Sequence, residues 1–136
     1  MNDFMMKTDI DIKDEMYKHI KGSALAKEVN GQLRKTLRPA NSNKEDIVIS
    51  MLSNVNGQIQ EAYINVNVYV PDVLRDNQAE ENTPRLRTLC KLSHDVLKVG
   101  YGASYRFVLE SQRVLEVEGR DEHLINNRII YKQCNE

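Results

Sequence analysis

Tryptophan is absent from this sequence and phenylalanine occurs only twice, so a core has to be built mainly from leucine, isoleucine and valine. Hydrophobic residues make up 40% of the chain and charged residues 29%, which is typical of a globular protein and excludes a disordered tail. A chain of 136 residues has the length of one ordinary domain and can bury a core without disulfides or metals. We therefore predict a single domain over residues 1–136, with residues 1–8 as a flexible N-terminus.

Cysteine, long apolar runs and an excess of one charge are also lacking. Cys90 and Cys134 lie far apart and match neither a CxxC motif nor zinc-ligand spacing, so we expect free thiols in a reducing compartment. No apolar run approaches the roughly 20 residues of a membrane span, and residues 1–7 lack the apolar stretch of a secretory signal. The 19 basic and 20 acidic residues leave a formal net charge of -1, which does not favour a nucleic-acid partner.

The N-terminal part of the sequence has the spacing of an amphipathic helix over residues 9–21. The apolar residues that recur every four positions, and so share one face, are Ile12, Met16 and Ile20. Gly22 is expected to end this helix. A second, shorter helix is then predicted, with Ser23 as its N-cap and Gly31 closing it.

A second main helix is predicted over residues 85–99, preceded by Thr83 as the N-cap and Pro84 as the first helical residue. Its apolar stripe consists of Leu86, Leu89, Ser93 and Val96, widened by Cys90 and Leu97. Gly100 and Gly102 are expected to end it.

The clearest strand covers residues 59–70. One face of it carries Ala62, Ile64, Val66, Val68 and Val70, and the other carries Tyr63, Asn65, Asn67 and Tyr69. Such alternation indicates a half-buried antiparallel strand. A strand over residues 46–53 precedes it, and the turn signal in residues 54–58 predicts that the two form a hairpin.

Further strands are predicted over residues 105–118, with a bend near residues 111–112, and over residues 123–132. For residues 32–38 a short edge strand and an extended arm fit equally well. Grouped strands with a helix inserted favour an α+β fold, in which a mainly antiparallel sheet of four to five strands has two main helices packed on one face. Residues 72–82 are polar and acidic and predict an exposed loop that could order on a partner.

No residue pattern predicts catalysis, a cofactor or a metal. Cys90 and His94 lie four positions apart on the second main helix and could form a thiolate site, but Cys90 also completes the apolar stripe, which explains it better. The three histidines lie in different segments without the spacing of metal ligands, and the glycines form no phosphate-binding loop. We therefore predict a protein that is not an enzyme.

The candidate interface residues are Arg34, Lys35, Arg38, Tyr63, Tyr69, Arg75, Arg85 and Arg87. The first three could contact phosphates, although a solvated arm explains them better. Arg85 and Arg87 open a helix, where the dipole disfavours positive charge. This conflict predicts acidic neighbours, either Glu80 and Glu81 or another subunit. The tyrosines lie on the polar face of the 59–70 strand, where exposure at an interface competes with cross-strand pairing inside the sheet.

The order of the elements carries a family resemblance. A helical region ending at Asn30-Gly31 is followed by an arm ending at Arg38-Pro39. Next come NSNKEDIVI at residues 41–49, the strand INVNVYVPD at residues 64–72, the helix at residues 85–99 and the strand HLINNRI at residues 123–129. This order, over residues 10–132, resembles the tail-completion or tail-terminator proteins of long-tailed phages and their prophage relatives.

The resemblance implies a structural protein that forms a ring, commonly a hexamer, which caps the tail tube and helps it meet the head. Its partners would be further copies of itself, the tail-tube protein and head-connector proteins, in the bacterial cytoplasm during assembly and then in the virion. The resemblance carries over no catalytic residue and offers no equivalent of the 72–82 segment. A head-completion or minor capsid connector protein, a small nucleic-acid-binding module and a small thiol enzyme are the alternatives.

Overall fold

A computed structural model describes residues 7–57 and 59–134, apart from the side chain of Cys134. Its helices are α1 (Asp9–Ile20), α2 (Ala24–Glu28) and α3 (Thr83–Leu97). Thr8 starts α1, because its hydroxyl accepts a hydrogen bond from the Asp11 amide while the Asp11 carboxylate accepts one from the Thr8 amide. Ser23 caps α2 in the predicted way, by accepting a hydrogen bond from the amide of Ala26.

In the described part of the chain, six strands form one sheet and two more form a separate hairpin. The strands are β1 (Leu33–Arg34), β2 (Ile47–Val55), β3 (Ile59–Pro71), β4 (Val73–Arg75), β5 (Gln78–Glu80), β6 (Val99–Tyr101), β7 (Tyr105–Glu116) and β8 (Glu122–Cys134). The large sheet has the order β1-β2-β3-β8-β7-β6, and β4 pairs with β5. Neighbouring strands are antiparallel except for β1 and β2, which are parallel.

The alternation along β3 decides which face of the sheet is covered. Every second residue from Ala62 to Val70 is buried, and the residues between them are half-buried. The apolar faces of α1 and α3 pack with these buried residues in one cluster. The helical members of this core are Ile12, Met16, Ile20, Leu25, Leu86, Leu89 and Leu97. The predicted α+β class, with a mainly antiparallel sheet and the main helices on one side, is therefore confirmed in its coarse form.

Two irregularities interrupt the regular pairing of the sheet. The register shifts between Met51 and Ser53 in β2 and between Leu109 and Ser111 in β7. The second shift lies where the sequence predicted a bend. An inserted residue bends its strand and increases the local twist, which allows long strands to wrap around helices on one side.

Several predicted details differ from the structure. The sheet has six strands rather than four or five, because Leu33–Arg34 and Val99–Tyr101 form short edge strands. The predicted loop at residues 72–82 contains the β4-β5 hairpin, whose turn residues Asp76 and Asn77 both have positive φ, as this turn requires. The cap of α3 is Asn82, whose side chain accepts from the amide of Arg85, so the Thr83 assignment was one residue late.

The predicted flexible N-terminus lies partly outside the described residues, because these begin at Lys7. Lys7 and Thr8 themselves are held in place. The Lys7 amide donates to the side chain of Gln60 over 3.0 Å, and its ammonium group donates to the Tyr131 hydroxyl over 2.9 Å. These contacts tie the start of α1 to β3 and β8.

Ser93 is the buried polar residue of α3 whose hydroxyl has no hydrogen-bond partner among the described residues. Replacing it with alanine removes an unsatisfied polar group, so we expect Ser93→Ala to raise the free energy of unfolding by about 1 kcal/mol. Urea unfolding measures this change. Thr88→Ala on the exposed side of the same helix reports the effect of helix propensity alone. A lower stability for Ser93→Ala than for the parent chain would show that the hydroxyl has a partner.

Candidate interaction surfaces

The face of the large sheet opposite the helices is a surface of half-buried side chains. From β3 it carries Tyr63, Asn65, Asn67 and Tyr69. Cross-strand partners share a face, so the residues of β8 paired with these four also lie on it, and they are Ile130, Arg128, Asn126 and Leu124. We call this surface, defined by these eight residues, the outer face.

The centre of the outer face is an ordered amide cluster. The side-chain nitrogen of Asn126 donates to the side-chain oxygens of Asn67 and Asn65 over 2.7 and 3.2 Å. Apolar and aromatic side chains, including Tyr63 and Leu124, lie on either side of this cluster on the same face. A surface that combines fixed amides with aromatic rings can form both hydrogen bonds and apolar contacts with a protein partner.

The basic arm predicted from Arg34, Lys35 and Arg38 is divided by the fold. The guanidinium of Arg38 lies over the ring of Tyr69, with 4.2 Å between its carbon and the ring centroid. It also donates to Asp46 over 2.8 Å and to both carboxylate oxygens of Glu122 over 2.5 and 2.9 Å. Arg38 therefore binds carboxylates of its own chain.

The other two arm residues lie nearer to the surface. Lys35 pairs with Asp14 over 2.8 Å, and both side chains are about half exposed. Arg34 is half-buried and donates to the side chain of Gln32 over 3.3 Å. The three basic residues thus have separate protein partners and do not converge on one phosphate-sized site.

The ion cluster around Arg38 joins two distant segments, residues 38–46 and residues 120–122, at one end of the sheet. Arg120 also pairs with Glu122 over 2.8 Å, and the hydroxyl of Ser42 donates to Asp46. The side chains of Asp46 and Glu122 are only 1% and 3% exposed. Buried carboxylates are costly unless they are paired, so these cations compensate the cost of burying both side chains.

Burial and hydrogen bonding act in opposite directions on the pKa of Asp46, and hydrogen bonding has the larger effect. Burial by itself would raise the pKa of this carboxyl group, but hydrogen bonds from Ser42, Arg38 and the amide of Gln32 outweigh burial, so its pKa lies below the usual value. Asp46 is therefore ionised in the folded protein near neutral pH. It is a fixed negative charge at the junction of the 38–46 loop and β2.

Arg85 resolves the conflict at the start of α3 through partners other than those predicted. It donates to both carboxylate oxygens of Glu45 over 2.5 and 2.8 Å and to Glu28 over 2.6 Å. The hydrogen bonds that Arg85 donates to these two acids raise its pKa. The expectation of acidic neighbours is confirmed, but Glu80 and Glu81 were the wrong residues. Arg87, by contrast, is exposed on α3.

The β4-β5 hairpin projects as a ribbon in which every strand residue is exposed. Arg75 pairs with Glu80 across it over 2.8 Å. Leu74 is 78% exposed, which is unusual for leucine in an ordered strand. This ribbon carries an apolar side chain and paired charges away from the core, and it is the second candidate interaction surface.

Cys90 and His94 do not form a thiolate site in this structure. Cys90 is a half-buried free thiol that packs against the core, and burial raises its pKa. His94 is 59% exposed, and the acid nearest to it is Asp95. A raised pKa reduces the thiolate fraction on which nucleophilic attack depends. Within residues 7–57 and 59–134, no three His, Cys, Asp or Glu residues are grouped as metal ligands.

Two features of these surfaces were not visible in the sequence. The pair between His123 and Asp72, 2.7 Å apart, and the burial of Glu122 both depend on contacts between residues far apart in the chain. The only local signal was the position of Asp72 at the end of a strong strand. None of the helices in the described part of the chain is long and apolar enough to cross a membrane.

Comparison with known proteins adds no family assignment. No family model matches the chain, and no curated protein matches it.

Proposed function

We propose that this protein is a structural subunit of a long-tailed phage or prophage, of the tail-terminator or tail-completion type, which assembles into a ring at the head–tail junction. The observation that carries the proposal is the outer face, a sheet surface of half-buried aromatic, amide and aliphatic groups over which none of the three described helices packs. A large ordered surface of this kind supports docking to other proteins.

The charge distribution supports the same proposal. Arg38 and Arg85 are held by buried or half-buried acids, so the strongest ionic contacts stabilise the fold. With a formal net charge of -1, copies of the chain repel one another little, which favours close packing of identical subunits. The exposed hairpin gives each subunit a projecting element for contact with a neighbouring subunit, which leaves the flat outer face for the tube protein.

Sedimentation velocity of the purified chain, alone and mixed with tail-tube protein, tests the proposal. We expect oligomers that increase with protein concentration or form on the tube. Tyr63→Ala should weaken association with the tube protein at least about tenfold, because aromatic residues at interfaces carry much of the binding energy. Tyr17→Ala is the matched control, because it removes the same ring from the helical side of the molecule.

A chain that stays monomeric at all concentrations and ignores tube protein would contradict the proposal. Binding to a head connector or capsid protein instead of the tube would identify the alternative, a head-completion or minor capsid connector protein. Equal loss of association in Tyr63→Ala and Tyr17→Ala would show that the outer face has no specific role in binding.

A further inference from the structure

The outer edge of β7 is open along its second half. β6 pairs with β7 only from Arg106 to Val108, and from Ser111 to Glu116 β7 pairs only with β8 among the described strands. The amide of Val117 donates to the carbonyl of Glu122 over 3.1 Å, so the backbone of Val117 faces β8. Since backbone groups alternate in direction along a strand, those of Glu116 and Val114 point away from β8.

The hairpin has a matching free edge on β5. Its turn consists of two residues, Asp76 and Asn77, and the pair that closes the turn is Arg75 with Gln78. In a two-residue hairpin the closing pair is hydrogen bonded across the ribbon. The next residue, Ala79, therefore points its N–H and C=O away from β4, toward the open side of β5.

We propose that β5 of one copy adds to the open edge of β7 in a second copy, antiparallel and with Ala79 opposite Val114. The backbone groups of Ala79 point away from β4 and those of Val114 point away from β8. The two residues can therefore form a hydrogen-bonded pair of an antiparallel sheet. The inference rests on the proposed function, because it specifies how subunits of a ring would contact one another.

The register places complementary side chains opposite each other at two positions. Antiparallel pairing of Ala79 with Val114 places Glu80 opposite Arg113. These two side chains have opposite charges. Leu74 is paired with Ala79 inside the hairpin, so Leu74, Ala79 and Val114 would form one row on the same face. Leu74 is 78% and Val114 41% exposed in the single chain, and the small Ala79 between them leaves room for both.

The strand that adds to the β7 edge comes from a second copy, because the β4-β5 hairpin and β7 are separated within one chain. The hairpin follows β3, and β8 lies between β3 and β7 in the sheet. A two-stranded ribbon gains little stability by itself, so addition to a sheet stabilises it. A contact between two different patches of the same chain is heterologous and generates a closed ring when the rotation closes.

Charge reversal at the proposed ion pair tests the contact. Sedimentation velocity would compare the parent chain with Glu80→Arg, Arg113→Glu and an equal mixture of the two variants. Each variant alone should associate at least about tenfold more weakly, because like charges then face each other.

The mixture of the two variants should recover association when they alternate in the assembly. The arginine introduced at position 80 of one variant then faces the glutamate introduced at position 113 of the other. At the next contact, the unchanged Glu80 of the second variant faces the unchanged Arg113 of the first. Lys91→Glu changes net charge as much as Arg113→Glu, at an exposed site of α3 outside the contact, and should have little effect.

Two further tests separate a lost contact from a damaged hairpin. Glu80→Gln removes the pair with Arg75 without reversing charge and should weaken association only a few-fold. Ala79→Cys mixed with Val114→Cys should form a disulfide between copies under mild oxidation, whereas Ala79→Cys mixed with Lys91→Cys should not. Association that is unchanged by both charge reversals, with no disulfide between the thiols introduced at positions 79 and 114, would overturn this inference and leave the proposed function standing. Absence of association in the parent chain, with and without tube protein, would overturn both.

Discussion

Replacing Arg38 with methionine is expected to lower the free energy of unfolding by about 3 kcal/mol or more, because the change leaves buried carboxylates without their main counter-charge. The side chain of Arg38 is only 12% exposed, and it binds Asp46 and Glu122 together. Arg120 still reaches Glu122, so the larger part of the loss arises at Asp46. Urea unfolding monitored by circular dichroism at neutral pH measures the difference.

The matched control is Arg34→Met on the same arm. Arg34 is half-buried and its guanidinium donates to Gln32 over 3.3 Å, so the expected loss is below about 0.5 kcal/mol. If both variants lose the same stability, the Arg38 cluster contributes no more than an ordinary surface position. The double variant Arg38→Met with Asp46→Asn should recover part of the loss, because it also removes the uncompensated buried charge.

The same cluster predicts how stability depends on pH. The pKa of Asp46 is lower in the folded protein than its ordinary value of 3.8, so the folded state binds fewer protons than the unfolded chain in the acid range. Its contribution to stability is complete above the unfolded pKa and is lost as the pH falls through the lowered folded pKa. The parent chain should therefore lose stability below pH of about 4, and Asp46→Asn should show a shallower loss.

Local pattern predicted those elements that are determined by their own residues. The four-residue spacing of Ile12, Met16 and Ile20 predicted α1 and its buried face. Strict alternation predicted β3 and the side of it that meets the helices. In both segments the hydrophobic period and the local backbone preference agree, so burial could be inferred without knowledge of any distant neighbour.

The remaining features depend on residues that are remote in sequence. Arg38 meets Glu122 across 84 positions, and Arg85 meets Glu45 across 40, so no local pattern marks either pair. On the sequence alone both arginines were candidates for an interface. The hairpin was missed because its strands have three residues each, too few for an alternation to be recognised. Its turn residues, Asp76 and Asn77, were the only local signal.

Variants of two adjacent residues of β3 are expected to affect stability and partner binding separately. Ile64→Ala is expected to lower the free energy of unfolding by about 2–5 kcal/mol, because it opens a cavity in the fully buried core. Tyr63→Ala removes a larger side chain, but from the half-buried outer face, so its effect on stability should be smaller. Urea unfolding ranks the two variants.

We expect the two variants to rank in the opposite order when association, rather than stability, is measured. At temperatures where both are folded, Ile64→Ala should keep the association of the parent chain, because its side chain points toward the helices. Tyr63→Ala should lose association with tube protein while it stays folded. The register of β3 with β8 makes this a strict test, since Tyr63 pairs with Ile130 on one face and Ile64 with Ile129 on the other. A slip of one residue would exchange the two faces and reverse both results.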